Sequence, residues 1–259
     1  MGCLLRTRSR LLCVLALTAT YGLAADITGT ITVKQRLTRP SVTAAVSMYE
    51  RGPTVELGKD SETDPLAAER ARVIIWVEGG VDSNGAQVFA AGIKGAMMQQ
   101  VNRRFDPDIV VIPKGGSVTF PNMDPIFHNV FSLSKPQSFD LGNYPKGDTR
   151  TVSFAKPGIV YVNCRLHPNM SGVVVVTPTQ WFARSARDGQ FTMHDVAPGT
   201  YTVVAWHKTT GFIRKQVSVV AGRDTVVNFL VPIDPGAGGS GSATEMTGMP
   251  GMQTRAASR

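Results

Sequence analysis

Histidine and cysteine are both scarce in this chain. Its 259 residues hold four histidines, none in a His-x-His pair, and three cysteines. Cys3 and Cys13 lie in an N-terminal stretch that reads as a leader, so export leaves Cys164 as the lone thiol and excludes a disulfide within the chain. No Ser-His-Asp or paired-carboxylate motif stands out, which removes the common hydrolytic constellations. Beyond the leader no segment is apolar for long enough to cross a bilayer. Lys and Arg number 27 against 19 Asp and Glu, but they are scattered. Without a basic stripe interleaved with aromatics, nucleic-acid binding is a weak reading. A mildly basic surface favours an acidic partner and names none.

Residues 1–25 make up the leader, with Arg6, Arg8 and Arg10, the apolar stretch Leu11–Ala19, and Gly22-Leu23-Ala24 before Ala25-Asp26. A basic head, a short apolar core and small residues at the end form a secretory signal. A retained anchor is the alternative, but the apolar core is too short for a comfortable span. The mature product is expected to be soluble, exported and periplasmic. Neither Cys3 nor Cys13 sits at the cleavage junction, which argues against a lipoprotein.

What the chain does have is concentrated in Asn163-Cys164-Arg165-Leu166-His167-Pro168-Asn169-Met170, which runs into the apolar segment Val173–Val176. A thiol, an imidazole and a thioether stand at i, i+3 and i+6 on a short loop between two strand-like segments. One thiolate, imidazole nitrogen and a weak thioether form the donor set of a mononuclear electron-transfer copper site. A second imidazole is found upstream. Ile109–Pro113, Gly115-Gly116, Ser117–Pro121 and Asn122-Met123-Asp124-Pro125 read as strand, turn, strand and loop, with His128 opening the next strand. Taken singly, His128 is a loop-end histidine, His167-Pro168 a turn and Met170 core filler. Taken together with the only mature thiol, they favour ligation.

The strand–Gly turn–strand, Asn-x-Asp, His128-Asn129-Val130 and Cys-x-x-His-x-x-Met elements, in that order, resemble the cupredoxins, the blue-copper β-sandwich family. The short ligand loop with Pro168 after His167 is most similar to the amicyanin subgroup and to methylamine-utilisation-type periplasmic proteins. The resemblance covers about Val101 to Thr177. It implies one type 1 copper ion held by His128, Cys164, His167 and an axial Met170. It also implies an Asn129 N–H donating to the Cys164 sulfur, with the Asn129 side chain tying the two ligand loops together. Multicopper oxidases and nitrite reductases add further histidine-rich centres, for which this chain has no histidines to spare; a carrier, not an enzyme, is expected.

The flanking sequence also alternates as strands do. Ile27–Val33, Val42–Tyr49 and Arg72–Glu78 are expected strands, with Arg51–Glu69 an exposed loop. Beyond Thr177-Pro178, Trp181–Ala183 and Gln190–Met193 around Asp188-Gly189 are expected to form a hairpin with a primed turn. Thr202–Trp206, Val217–Val220 and Thr225–Val231 follow. Asp188-Gly189-Gln190-Phe191 with Pro198-Gly199-Thr200-Tyr201 resembles the carboxypeptidase regulatory-like, transthyretin-type β-sandwich. His194 and His207 are expected in surface or loop roles there, and Met123 and Met193 as packing residues.

The expected fold is all-β: a Greek-key cupredoxin sandwich, residues 97–177, inserted into a discontinuous carboxypeptidase regulatory-like sandwich, residues 26–96 with 178–233. Three successive domains are the alternative. Residues 234–259 read as a flexible tail, in which Met246, Met249 and Met252 either gather Cu(I) or are simply three methionines. The expected function is single-electron transfer in a periplasm, with a c-type cytochrome or a periplasmic dehydrogenase as partner. Copper storage, delivery or resistance is the second reading, and an adhesion scaffold with a vestigial site the third.

Overall fold

The computed structural model describes residues 24–38, 64–82 and 95–232. The leader, the expected strand Val42–Tyr49 and the methionine tail lie outside them. The described chain begins with β1 (Ala25–Val33), one helical turn α1 (Ala67–Arg70) and β2 (Ile74–Asp82). Short strands follow: β3 (Gly95–Met97), β4 (Gln99–Val101), β5 (Arg104–Asp106), β6 (Ile109–Pro113) and β7 (Ser117–Pro121). Next come β8 (His128–Ser134), β9 (Gln137–Tyr144), β10 (Thr149–Ser153), β11 (Gly158–Asn163) and β12 (Ser171–Thr177). The last are β13 (Phe182–Arg184), β14 (Gln190–Val196), β15 (Gly199–His207), β16 (Gly211–Val219), β17 (Thr225–Val226) and β18 (Phe229–Val231). The fold is all-β.

Among the described residues four sheets stack in layers, beside a two-stranded sheet of β4 and β5. Their strand orders are β14-β1-β17, with β18 also on β1; then β13-β2-β15-β16; then β6-β12-β11-β8-β9; then β10-β7-β3. Successive side chains of a strand face opposite ways, and along β12 and β15 in the two inner sheets both faces are buried. Along β15, Tyr201, Val203 and Ala205 enter the core against the first sheet, while Val204 and Trp206 face the third. Along β12, Val174 and Val176 enter the core shared with the fourth sheet, while Val173 and Val175 meet Trp76 and Trp206. This is why Val173–Val176 is unbroken by any polar residue. The first two sheets draw strands from both sides of residues 95–177, since β1 pairs with β14 and β2 with β13 and β15.

Two local expectations fail. Trp181–Ala183 and Gln190–Met193 form no hairpin, because β13 pairs with β2 while β14 pairs with β1. The turn therefore carries the chain from one sheet to the facing one. Gly189, at φ 95°, makes the crossing, and its carbonyl accepts the Ile31 N–H at 2.7 Å. Trp181 is drawn inward against Tyr201, their ring centroids 5.7 Å apart, and this core contact outweighs local pairing. The other failure is at the end of the expected loop Arg51–Glu69, where α1 forms and Glu69 is only 4% exposed.

Candidate metal centre

His128 opens β8, and Cys164 follows the last residue of β11. These strands are adjacent in one sheet, with Asn163 opposite Phe131, so the topology alone brings the two side chains to the same sheet end. The loop from Cys164 to Met170 is closed by its own backbone. The Cys164 N–H donates to the Met170 carbonyl at 3.1 Å, and the Met170 N–H to the His167 carbonyl at 2.9 Å. Just past the loop, Gly172 lets β12 pack closely, since a Cβ there would lie 3.0 Å from the Met98 sulfur and 3.2 Å from Val162.

His128, Cys164 and His167 are brought together as one cluster of donor atoms. The Cys164 Sγ lies 3.8 Å from Nδ1 of His128 and 3.6 Å from Nδ1 of His167. A first-row ion with bonds of about 2.3 Å to sulfur and about 2.0 Å to nitrogen holds such atoms roughly 3.5–3.8 Å apart. The three side chains therefore fit one metal ion between them. His128 is fully buried and Cys164 is 4% exposed, while His167 is half-buried. Met170 is buried in the core beneath the loop, one residue before β12.

The surrounding groups fix these donors. The Asn129 N–H points at Cys164 Sγ, 3.5 Å away. Its side chain spans the ligand loops: Oδ1 accepts the Arg165 N–H at 3.4 Å, and Nδ2 donates to Asp140 at 2.7 Å and to the Gly142 carbonyl at 3.1 Å. The Gly142 N–H, the Asn129 amide and Arg165 hold the Asp140 carboxyl below its ordinary range. On the other side, Asp124 Oδ2 lies 2.8 Å from His128 Nε2. Burial works to raise the Asp124 pKa, but the Arg103 N–H, the His128 ring and the Asn102 N–H outweigh it and hold the carboxyl low. A carboxylate at that distance takes the Nε2 proton in its hydrogen bond, which leaves His128 Nδ1 bare toward the sulfur. Burial, with the charges of His128 and Arg103, pushes the His167 pKa down.

Sequence reasoning placed Asp124 in a motif but gave it no role; a carboxylate four residues before a ligand-type histidine was the available signal. It missed Tyr144 entirely. That phenol is fully buried beside the site, donates to the Phe120 carbonyl at 3.0 Å and accepts from Gln100, and burial pushes its pKa up to about 12. Met123 is not a packing residue, being 50% exposed, whereas Met193 is buried. His207 is buried on β15, contrary to its expected surface role.

The family model for polysaccharide lyase family 4, domain II, matches residues 167–227. No curated protein matches. Among solved structures, a purple cupredoxin from Nitrosopumilus maritimus is 26% identical over 32% of this chain and 99% of its own, with a TM-score of 0.30. A copper-containing nitrite reductase from Thermus scotoductus is 24% identical over 38% of this chain and 25% of its own, also at 0.30. An amicyanin variant is 20% identical over 32% and 82% respectively, again at 0.30.

Proposed function

We propose that this protein is an exported mononuclear copper protein that carries single electrons between redox partners, with His128, Cys164, His167 and the thioether of Met170 as the type 1 donor set. The observation that carries this reading is the approach of two imidazole Nδ1 atoms, at 3.8 and 3.6 Å, to one buried thiol. Bound copper would supply the one-electron couple. The protein's part is to keep its donors still: β8 and β11 hold His128 and Cys164 on a rigid sheet, and little rearrangement means a low barrier to electron exchange. The Asn129 N–H draws charge from the sulfur and so tunes the potential.

A carrier needs one accessible edge. His167 is the least buried of the clustered donors, and its neighbour Leu166 and the residue before His128, Phe127, are exposed apolar side chains. That edge suits brief docking of a c-type cytochrome or a periplasmic dehydrogenase. We assign no catalysis to the chain. The test is the visible spectrum of the copper-free protein titrated with Cu(II). An intense thiolate-to-copper band, bleached by mild reductant and lost in Cys164→Ala, is expected. Stoichiometric binding without that band would overturn electron transfer in favour of copper storage or delivery.

A further inference from the structure

The hairpin of β4 and β5 carries two of the non-glycine residues with positive φ among the described residues. Its two-residue turn is Asn102-Arg103, with φ of 53° and 55°. Val101 and Arg104 pair directly on either side, so this is a primed turn, normally the territory of Asn-Gly. An arginine in the left-handed region is uncommon and strained. What holds it is one carboxylate: Asp124 Oδ1 accepts the Asn102 N–H at 2.6 Å, and Oδ2 accepts the Arg103 N–H at 2.8 Å. The same Oδ2 lies 2.8 Å from His128 Nε2.

Asp124 is itself held in place. Its N–H donates to Asn122 Oδ1 at 3.0 Å, and the Asn122 amide donates to the carbonyls of Ile126 and Tyr144 at 2.9 and 3.0 Å. A carboxylate fastened by two backbone donors has little freedom to follow the imidazole, so the imidazole must follow it. We propose that the Asn102–Arg103 turn is a remote positioning element of the metal centre, acting through Asp124 to fix the tautomer and ring plane of His128. The inference rests on His128 being a metal ligand. Its physical content is that an exposed turn outside the donor cluster sets how squarely Nδ1 meets the metal.

The test uses two readouts on each full-length variant. In copper-free protein, nitrogen-15 NMR of the His128 ring reports which nitrogen is protonated and how fast that proton exchanges. In copper-titrated protein, Cu(II) affinity and the paramagnetic resonance spectrum report ligand placement. Asp124→Ala is expected to release the Nε2 proton to rapid exchange and to weaken copper roughly 10- to 100-fold. Asp124→Asn, which still offers an acceptor oxygen, is expected to fall between it and the parent. Arg103→Pro removes one donor and forbids the positive φ, and is expected to move both readouts in the same direction. Arg103→Gly keeps the N–H and the turn, and is expected to move neither. If Arg103→Pro fails to fold, Asn102→Ala strains the same turn more gently and is expected to give the smaller shift.

A His128 tautomer and proton exchange unchanged in Asp124→Ala overturns the proposal, as does Arg103→Gly behaving like Asp124→Ala. The expected NMR changes in a protein whose parent shows no thiolate-to-copper band would sink the electron carrier while leaving the positioning role standing.

Discussion

Val173 and Val174 are neighbours on one strand, yet they belong to different cores. Val174 packs with Val130, Val160 and Cys164 around the candidate metal centre, while Val173 packs with Trp76, Val204 and Trp206 of the facing sandwich. The layer between the sandwiches is therefore a buried apolar cluster of its own, and it is reinforced by Arg184 bonding to the Ile109 carbonyl and by an Arg72–Asp108 ion pair at 3.0 Å.

That continuity makes Trp206 a joint stabiliser of both sandwiches. Trp206→Ala should cost about 3–5 kcal/mol, as removal of a fully buried ring does. Denaturant unfolding followed by fluorescence and by the thiolate-to-copper band should shift together. A shift in the fluorescence transition alone would show that the two sandwiches unfold independently.

Gly29 offers a sharper local test. A Cβ there would sit on the Val227 carbonyl oxygen and 2.8 Å from the Phe191 ring, whereas one at Gly79 would meet nothing within 4 Å. Gly29→Ala forces apart the β1–β17 edge, where the Val227 N–H donates to the Thr28 carbonyl at 2.8 Å. A loss of about 1–3 kcal/mol is expected, as for other overpacked sites. Gly79→Ala should be neutral or slightly stabilising in the same thermal melt.

These contrasts mark what was legible beforehand. The cluster of Cys164 and His167 with His128 could be read because the first two are close in sequence and His128 follows a recognisable strand–turn–strand. The alternation of β1 and the apolar run of β12 were equally plain. What could not be read was which sheet each strand joins. Trp181–Ala183 and Gln190–Met193 look like a hairpin locally, and only the distant partners Trp76 and Ile27 decide otherwise. The burial of Glu69 and His207 was hidden for the same reason, because it depends on elements far apart in the chain.

Glu69 and His207 make stability pH-dependent. Burial holds the His207 pKa below its ordinary 6.5, against the pull of the Glu69 carboxylate 3.4 Å from its Nε2. That approach falls short of hydrogen-bond geometry, while His207 Nδ1 accepts the Thr209 N–H at 3.3 Å. The unfolded chain takes up this proton near pH 6.5 and the folded one only at lower pH, so stability falls as pH drops below 6.5. Glu69 acts in the same direction over a lower window. Burial raises its pKa, but the Thr38 N–H and hydroxyl, with His207, bring it below the ordinary 4.5, so its contribution is present above pH 4.5 and lost as pH falls through the folded value. Melting temperature should therefore decline in two stages on acidification. His207→Gln should shrink the first stage, relative to the parent, and keep most of the second, which rests mainly on the Thr38 donors; an unchanged profile would remove His207 from the account.

The exposed edge by the metal centre yields a kinetic prediction. Phe127 and Leu166 are 56% and 45% exposed, each next to a donor residue in sequence. Two copies meeting edge to edge would bury these side chains and bring their half-buried His167 rings close. Leu166→Asp places a carboxylate on both approaching faces, and burying it at contact adds a desolvation cost. Electron self-exchange between oxidised and reduced protein should slow about tenfold, the effect of roughly 1.4 kcal/mol. Leu166→Ala should slow it less. The visible band should persist in both, because the side chain at position 166 supplies no donor atom. Self-exchange that is unchanged in Leu166→Asp would mean that electrons leave through another face.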